Sequence, residues 1–352
     1  MIPGLRGRRR LTAWLIVGLL VAIVVVATVV FIFVGRPPQY PDPPPGWKII
    51  SPACMVYALA EQGDYIWAGG PCGIYFIDRR TGDLLAVPDG GRPSMYYVND
   101  IAVDSDNVLW IAHRAGLTRY DGSSWHTFTK ADGLLAGAVL SVLEDRDGAL
   151  WIGTESGVTR YDGTSWQTFT TEDGLAVPSV YVIFQDSDGV LWFGSFELNQ
   201  GGVSRYDGVS WTSYSIENGL HHNTVNDIIE DSNGVLWFAT GYTTAGGASW
   251  FDGGEWGTLT RDDGLAGNKV RSVFEDDQGR LWFGSEYDGT AITDGANWRI
   301  ITPWDGTAGW EAMEILQDSE GVLWMGTESG VSRIESVDIV PPTGNGTPTP
   351  QP

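Results

Sequence analysis

Seven times along the chain a tryptophan stands in a short apolar segment just after an acidic, Gly- or Asn-containing turn: Trp67, Trp110, Trp151, Trp192, Trp237, Trp282 and Trp324. The intervals are 43, 41, 41, 45, 45 and 42 residues. Self-similarity at such a period marks a repeat architecture, in which each unit is one supersecondary element that cannot bury its own apolar face alone. The repeat occupies nearly everything from about residue 46 to 337, so the chain reads as one large repeat domain with short flanking segments.

Residues 139 to 170, VLSVLEDRDGALWIGTESGVTRYDGTSWQTFT, serve as the type unit. The apolar run Val139 to Leu143 breaks at Asp145-Arg146-Asp147-Gly148, and Leu150 to Thr154 follows at once, which is a hairpin signal. Gly157 to Tyr161 is a third strand, Asp162-Gly163 a further turn, and Trp166 to Phe169 a fourth strand. Four short antiparallel strands in each of seven repeats predict an all-β chain, a seven-bladed β-propeller. From Trp125 to Trp151, and at each equivalent pair through Trp298 to Trp324, the separation is 26 residues. The last repeat ends after Gly330 to Ile334 without a fourth strand, whereas Trp47-Lys48-Ile49-Ile50 precedes the first repeat. The N-terminal segment is therefore expected to complete the seventh blade and remove its open edge.

The uncharged run Leu11 to Val34 is long enough to cross about 30 Å of hydrocarbon as a helix. Arg6, Arg8, Arg9 and Arg10 precede it, and no acid appears before Asp42. The excess of positive charge places residues 1–10 in the cytoplasm and the propeller outside, with 11–34 as an uncleaved signal anchor rather than a cleaved signal peptide. Residues 35–46 form a Pro-rich linker, 47–337 the propeller and 338–352 a disordered Pro/Thr-rich tail. Of the formal charge of -23, the four arginines lie inside, leaving 17 basic against 44 acidic residues outside, a surface that repels nucleic acid. Cys54 and Cys72, both in the first repeat, are expected to form a disulfide that persists in this compartment.

The segments DGLLAGAVLSVLEDRDGALWIGTESGVTRYDG, EDSNGVLWFAT and QDSEGVLWMGTESGVSRI resemble the two-component regulator propeller repeats, found in the extracytoplasmic sensor halves of bacterial hybrid two-component systems. The resemblance covers all seven units. It implies a bacterial module that binds a ligand, often a carbohydrate fragment, and signals inward. In that family the propeller usually precedes a membrane helix and a histidine kinase. Here the apolar segment comes first and no kinase is expected behind it, so signalling is expected to run through a membrane partner protein.

An acid lies six positions before each repeated tryptophan: Asp104, Asp145, Asp186, Asp231, Asp276 and Asp318, with Glu61 in the first unit. Short carboxylates at such turns bond to turn amides, and the spacing is too tight for a calcium loop, so no metal and no cofactor are expected. No G-x-S-x-G elbow occurs and histidines are scarce, leaving no catalytic residue to name. The interval from the key tryptophan to the fourth-strand tryptophan is 15 residues in blades two and three, 19 in four and five, and 16 in six. The extra residues lie on the face that also carries the connections between blades. They bring Phe196, Glu197, Asn199, Gln200, Tyr242, Thr243, Thr244, Glu286, Tyr287 and Asp288 to it, where His221, His222, Trp304, Asp305, Trp310 and Glu311 also fall. Aromatic plates interleaved with carboxylates and amides suit sugar rings, which stack on aromatics while their hydroxyls take hydrogen bonds.

The leading expectation is a membrane-anchored extracytoplasmic binding or sensory propeller that binds without turnover. A second reading is an enzyme similar to the streptogramin lyases, seven-bladed proteins that use a histidine, acids and magnesium on this face. His221 or His222 with Glu286 would play those parts, although no residue-by-residue match to their motif is present. A third is a cell-surface protein-interaction scaffold using the same loops, since propellers support many unrelated functions.

Overall fold

The computed structural model describes residues 39–51, 54–197, 201–242 and 245–339. The expected anchor at 11–34, the first part of the linker and nearly all of the tail lie outside the described residues, as do Asn199, Gln200, Thr243 and Thr244. No helix among the described residues is long and apolar enough to cross a membrane.

The compact unit that begins at Asp42 holds seven four-stranded antiparallel sheets. In blade 3 the strands Val139–Glu144, Leu150–Thr154, Gly157–Tyr161 and Trp166–Phe169 lie side by side in chain order, from inner to outer. Blade 7 is closed by the N-terminal strand. Trp47–Ile50 pairs antiparallel with Gly330–Ile334, Trp47 opposite Ile334 and Ile50 opposite Val331. Blade 1 departs from the pattern, because its outer strand is only Leu84–Leu85. The Cys54–Cys72 disulfide ties the segment that follows the closing strand to the hairpin between Tyr65–Gly70 and Gly73–Asp78 of blade 1.

Every repeated tryptophan is buried between blades. In blade 3 the Asp145 Oδ1 accepts the backbone N–H of Asp147 and Ala149 at 3.0 and 2.9 Å, and Oδ2 accepts the Trp151 indole N–H at 2.7 Å. The same triple bonding recurs at Asp186 and Asp231, for example, so one carboxylate shapes the turn and satisfies a buried indole. The sequence anticipates the turn bonds but not the indole bond, and it misplaces Glu61. The first turn of blade 1 is one residue shorter, so Trp67 donates to Gln62 Oε1 instead. Glu61 accepts from the backbone and hydroxyl of Ser319 in blade 7. It thereby joins a pattern, seen in six of the seven blades, in which a residue at or next to the end of an inner strand holds the turn of the preceding blade. The others are Glu144 with Ser105, Gln185 with Arg146, Glu230 with Ser187, Glu275 with Ser232 and Gln317 with Asp277. Close approach of neighbouring blades also needs a small residue in the second strand. A Cβ on Gly153 would stand 2.7 Å from the Val180 carbonyl of blade 4.

Candidate functional site

The inner-strand turns occupy one face of the propeller, and the hairpins between second and third strands share the other face with the inter-blade connections. On this second face, side chains from blades 4 to 7 form a continuous arc. The ring of Tyr181, just before the inner strand of blade 4, lies 5.4 Å from that of Phe196, which meets the Tyr242 ring edge-on at 5.7 Å. Lys269 Nζ sits 5.3 Å from the Tyr242 ring centre and pairs with Glu286. Arg271 Nε bonds Glu311 Oε1 at 2.6 Å, and its Nη2 lies 3.6 Å from Glu286 Oε2. Two cations and two anions thus form one network at the mouth of the central channel, with Lys269 and Glu311 buried and Arg271 and Glu286 half-buried.

Burial dominates the electrostatics of the mouth. It lowers the Lys269 ammonium to about 8, with the nearby Arg271 charge adding to the shift and Glu311 opposing it. It raises the phenols of Tyr57 and Tyr181, both of which also feel Arg271 and Glu311. These two tyrosines therefore bring blades 1 and 4 to the same charged centre. Two of the three non-glycine residues with positive φ among those described are exposed tyrosines on this face, Tyr97 and Tyr287. Non-glycine residues rarely adopt this conformation, and it costs backbone energy. Here it holds one ring under the Arg114 guanidinium, 5.6 Å from its centre, and turns the other to solvent.

The expected site residues divide into two groups. Phe196, Tyr242 and Glu286 meet in the arc. His222 stands half-buried in the connection into blade 5, its Nδ1 accepting the Thr224 N–H at 3.0 Å, so the neutral ring carries its proton on Nε2. Burial and the neighbouring His221 lower its pKa and favour that neutral ring. Trp310 is held beside the arc, its backbone N–H bonded to Glu328 and its carbonyl to the Gly289 N–H. Glu197, His221, Tyr287, Asp288 and Trp304 are exposed on the surrounding loops. Asp288 lies 3.9 Å from Arg261, and Asp305 caps a turn at Thr302. Asn199 and Gln200 lie outside the described residues. Lys269, Arg271, Tyr57 and Tyr181 are additions, and the sequence signal that could have found them is charge or a phenol at the mouth end of an otherwise apolar inner strand. His113, which replaces the usual threonine in blade 2, is buried and structural. Its Nδ1 accepts the Ala115 N–H and its Nε2 meets Thr118 Oγ1.

Residues 133–156, 174–197, 219–242 and 264–287 match the two-component regulator propeller family. Each segment spans a connection and the two inner strands of blades 3 to 6, so the match covers four of the seven repeats. No curated protein matches it. Among solved structures, it is similar to the extracellular domains of two B. thetaiotaomicron proteins described as hybrid two-component systems. The first is 22% identical with a TM-score of 0.70, covering 83% of this chain and 41% of that one. The second is 17% identical with a TM-score of 0.66, covering 83% and 43%. A catalytically inactive virginiamycin B lyase from Staphylococcus aureus, solved with quinupristin, is 14% identical with a TM-score of 0.63, covering 83% and 99%. These likenesses establish the propeller fold, and the chain spans less than half the length of the first two.

Proposed function

We propose that this propeller is an extracytoplasmic sensory module, anchored to the membrane by residues 11–34, that binds carbohydrate at the arc of blades 4 to 7 and acts through a partner protein. The observation that carries this reading is the joining of aromatic rings to a buried ion network at the channel mouth. Phe196 and Tyr242 offer apolar faces to the C–H side of a sugar ring. The Arg271–Glu311 pair offers donors and an acceptor side by side, the complement of vicinal hydroxyls. Buried ion networks are costly to maintain relative to apolar packing, so one placed at a channel mouth favours a binding role over a purely structural one.

The test is thermal unfolding of the soluble fragment, residues 44–340, in the presence of cello-, xylo-, malto- and chito-oligosaccharides. A ligand at 100 times its Kd stabilises the native state by about 2.7 kcal/mol. The reading expects a saturable rise in Tm with at least one glycan, lost in both Tyr242→Ala and Arg271→Ala, with the glycan recovered unchanged. No shift with any of these glycans, or a shift that both variants retain, overturns it.

A further inference from the structure

We propose that Asp100, Asp227 and Glu314 form a proton-responsive lock around the central channel, one that holds the strand carrying Arg271. All three occupy the same register of their inner strands, opposite Ala112, Ala239 and Gly326. The other four blades carry Ala58, Ser141, Val182 and Ser272 at this level, so it holds three acids and no base. Two of the acids are inter-blade staples. Asp100 Oδ2 accepts the Val142 N–H of blade 3 at 2.8 Å, and Asp227 Oδ2 accepts the Val273 N–H of blade 6 at 2.9 Å. The preceding asparagines complete each staple at a carbonyl. Asn99 donates to Val139 O, and Asn226 donates to Val270 O, both at 2.7 Å. The twin sequence Val-Asn-Asp-Ile at 98–101 and 225–228 is thus one device used twice.

The blade 5 staple grips Val270 O and Val273 N, and Arg271 lies between those two points. Asn226 also donates to Gly241 O, next to Tyr242. The lock therefore acts on the backbone beneath the site proposed above, and its link to ligand binding rests on that reading, whereas the proton response itself does not. Burial raises the Asp100 and Asp227 carboxyls to about 6, against the opposing pull of their backbone N–H bonds. Burial raises Glu314 well above the usual range, and the fields of Asp227 and Asp100 push it further. Toward the mouth the ionisable neighbours are Tyr57, Tyr181, Lys269, Arg271, Glu286 and Glu311, and both cations are already engaged by the two glutamates. Folded pKa values above the unfolded value of 3.8 mean that these groups contribute stability below about pH 4, and that it is lost as pH rises through about 6.

Wild type and the triple variant Asp100→Asn, Asp227→Asn, Glu314→Gln are to be compared by thermal unfolding of fragment 44–340 from pH 7.5 to 5.5. Taking the difference cancels the histidines, which titrate in both proteins. Wild type is expected to gain about 5 °C relative to the variant over this range. The backbone amide resonances of Val142, Arg271 and Val273 are expected to move in wild type with a midpoint near pH 6 and to stay fixed in the variant. If the triple variant does not fold, Glu314→Gln alone serves, and it should shift the midpoint to lower pH. Parallel stability curves, or amides that do not titrate or titrate alike in wild type and variant, overturn the lock. A glycan shift in the preceding test would still stand.

Discussion

Asp186 performs three tasks with two oxygens: it accepts the Asp188 and Val190 amides and the Trp192 indole N–H. A buried donor left without its acceptor costs about 1–3 kcal/mol. Asp186→Ala is therefore expected to destabilise the propeller by about 3 kcal/mol in urea unfolding, with a lowered midpoint and an unchanged slope. His113 gives a pH signature of opposite sign to the channel acids. Burial lowers its pKa from 6.5 to about 4, so the native state holds it neutral. The unfolded chain then binds the extra proton, and this residue's contribution to stability is present above pH 6.5 and lost as pH falls toward 4. Its ring C–H resonance should stay fixed from pH 8 to about 5.

At the scale of elements, closure depends on a strand from the opposite end of the chain. Trp47–Ile50 gives blade 7 its outer edge, and the Trp47 indole donates to Ser336 O, so the two ends of the propeller hold each other. The disulfide fastens the segment that leads from this strand into blade 1. Opening it releases an 18-residue loop constraint on the unfolded chain, about 3 kcal/mol in the chain-entropy account. Reduction, or Cys54→Ala with Cys72→Ala, should lower unfolding stability by that order while leaving the β circular dichroism spectrum intact. These elements were legible because a repeat exposes its own exceptions: a missing fourth strand and a spare Trp-Lys-Ile-Ile point to each other. The short turn of blade 1 was harder to read. Aligning units on Trp67 hid the one-residue deletion that sends Glu61 to Ser319 rather than to the indole.

For the whole molecule, sequence spacing identifies the face and much of the arc, because insertions stand out against a constant frame. Phe196, Tyr242 and Glu286 are found this way. Lys269, Arg271 and the three channel acids are not, since they occupy positions in or immediately before an inner strand that every blade possesses and add nothing to its length. Only a comparison of inner strands, register by register, sets Asp100, Asp227 and Glu314 apart from Ala58, Ser141, Val182 and Ser272. The function proposed here requires loops of blades 4 to 7 to converge at one end of the channel. Hydrogen exchange of fragment 44–340, with and without the oligosaccharide giving the largest thermal shift, tests that convergence most directly. Added protection is expected at residues 195–202, 240–246, 267–272, 284–290 and 308–313 together. Protection confined to the turn face or to blades 1 to 3, or no protection at a saturating concentration, would contradict it.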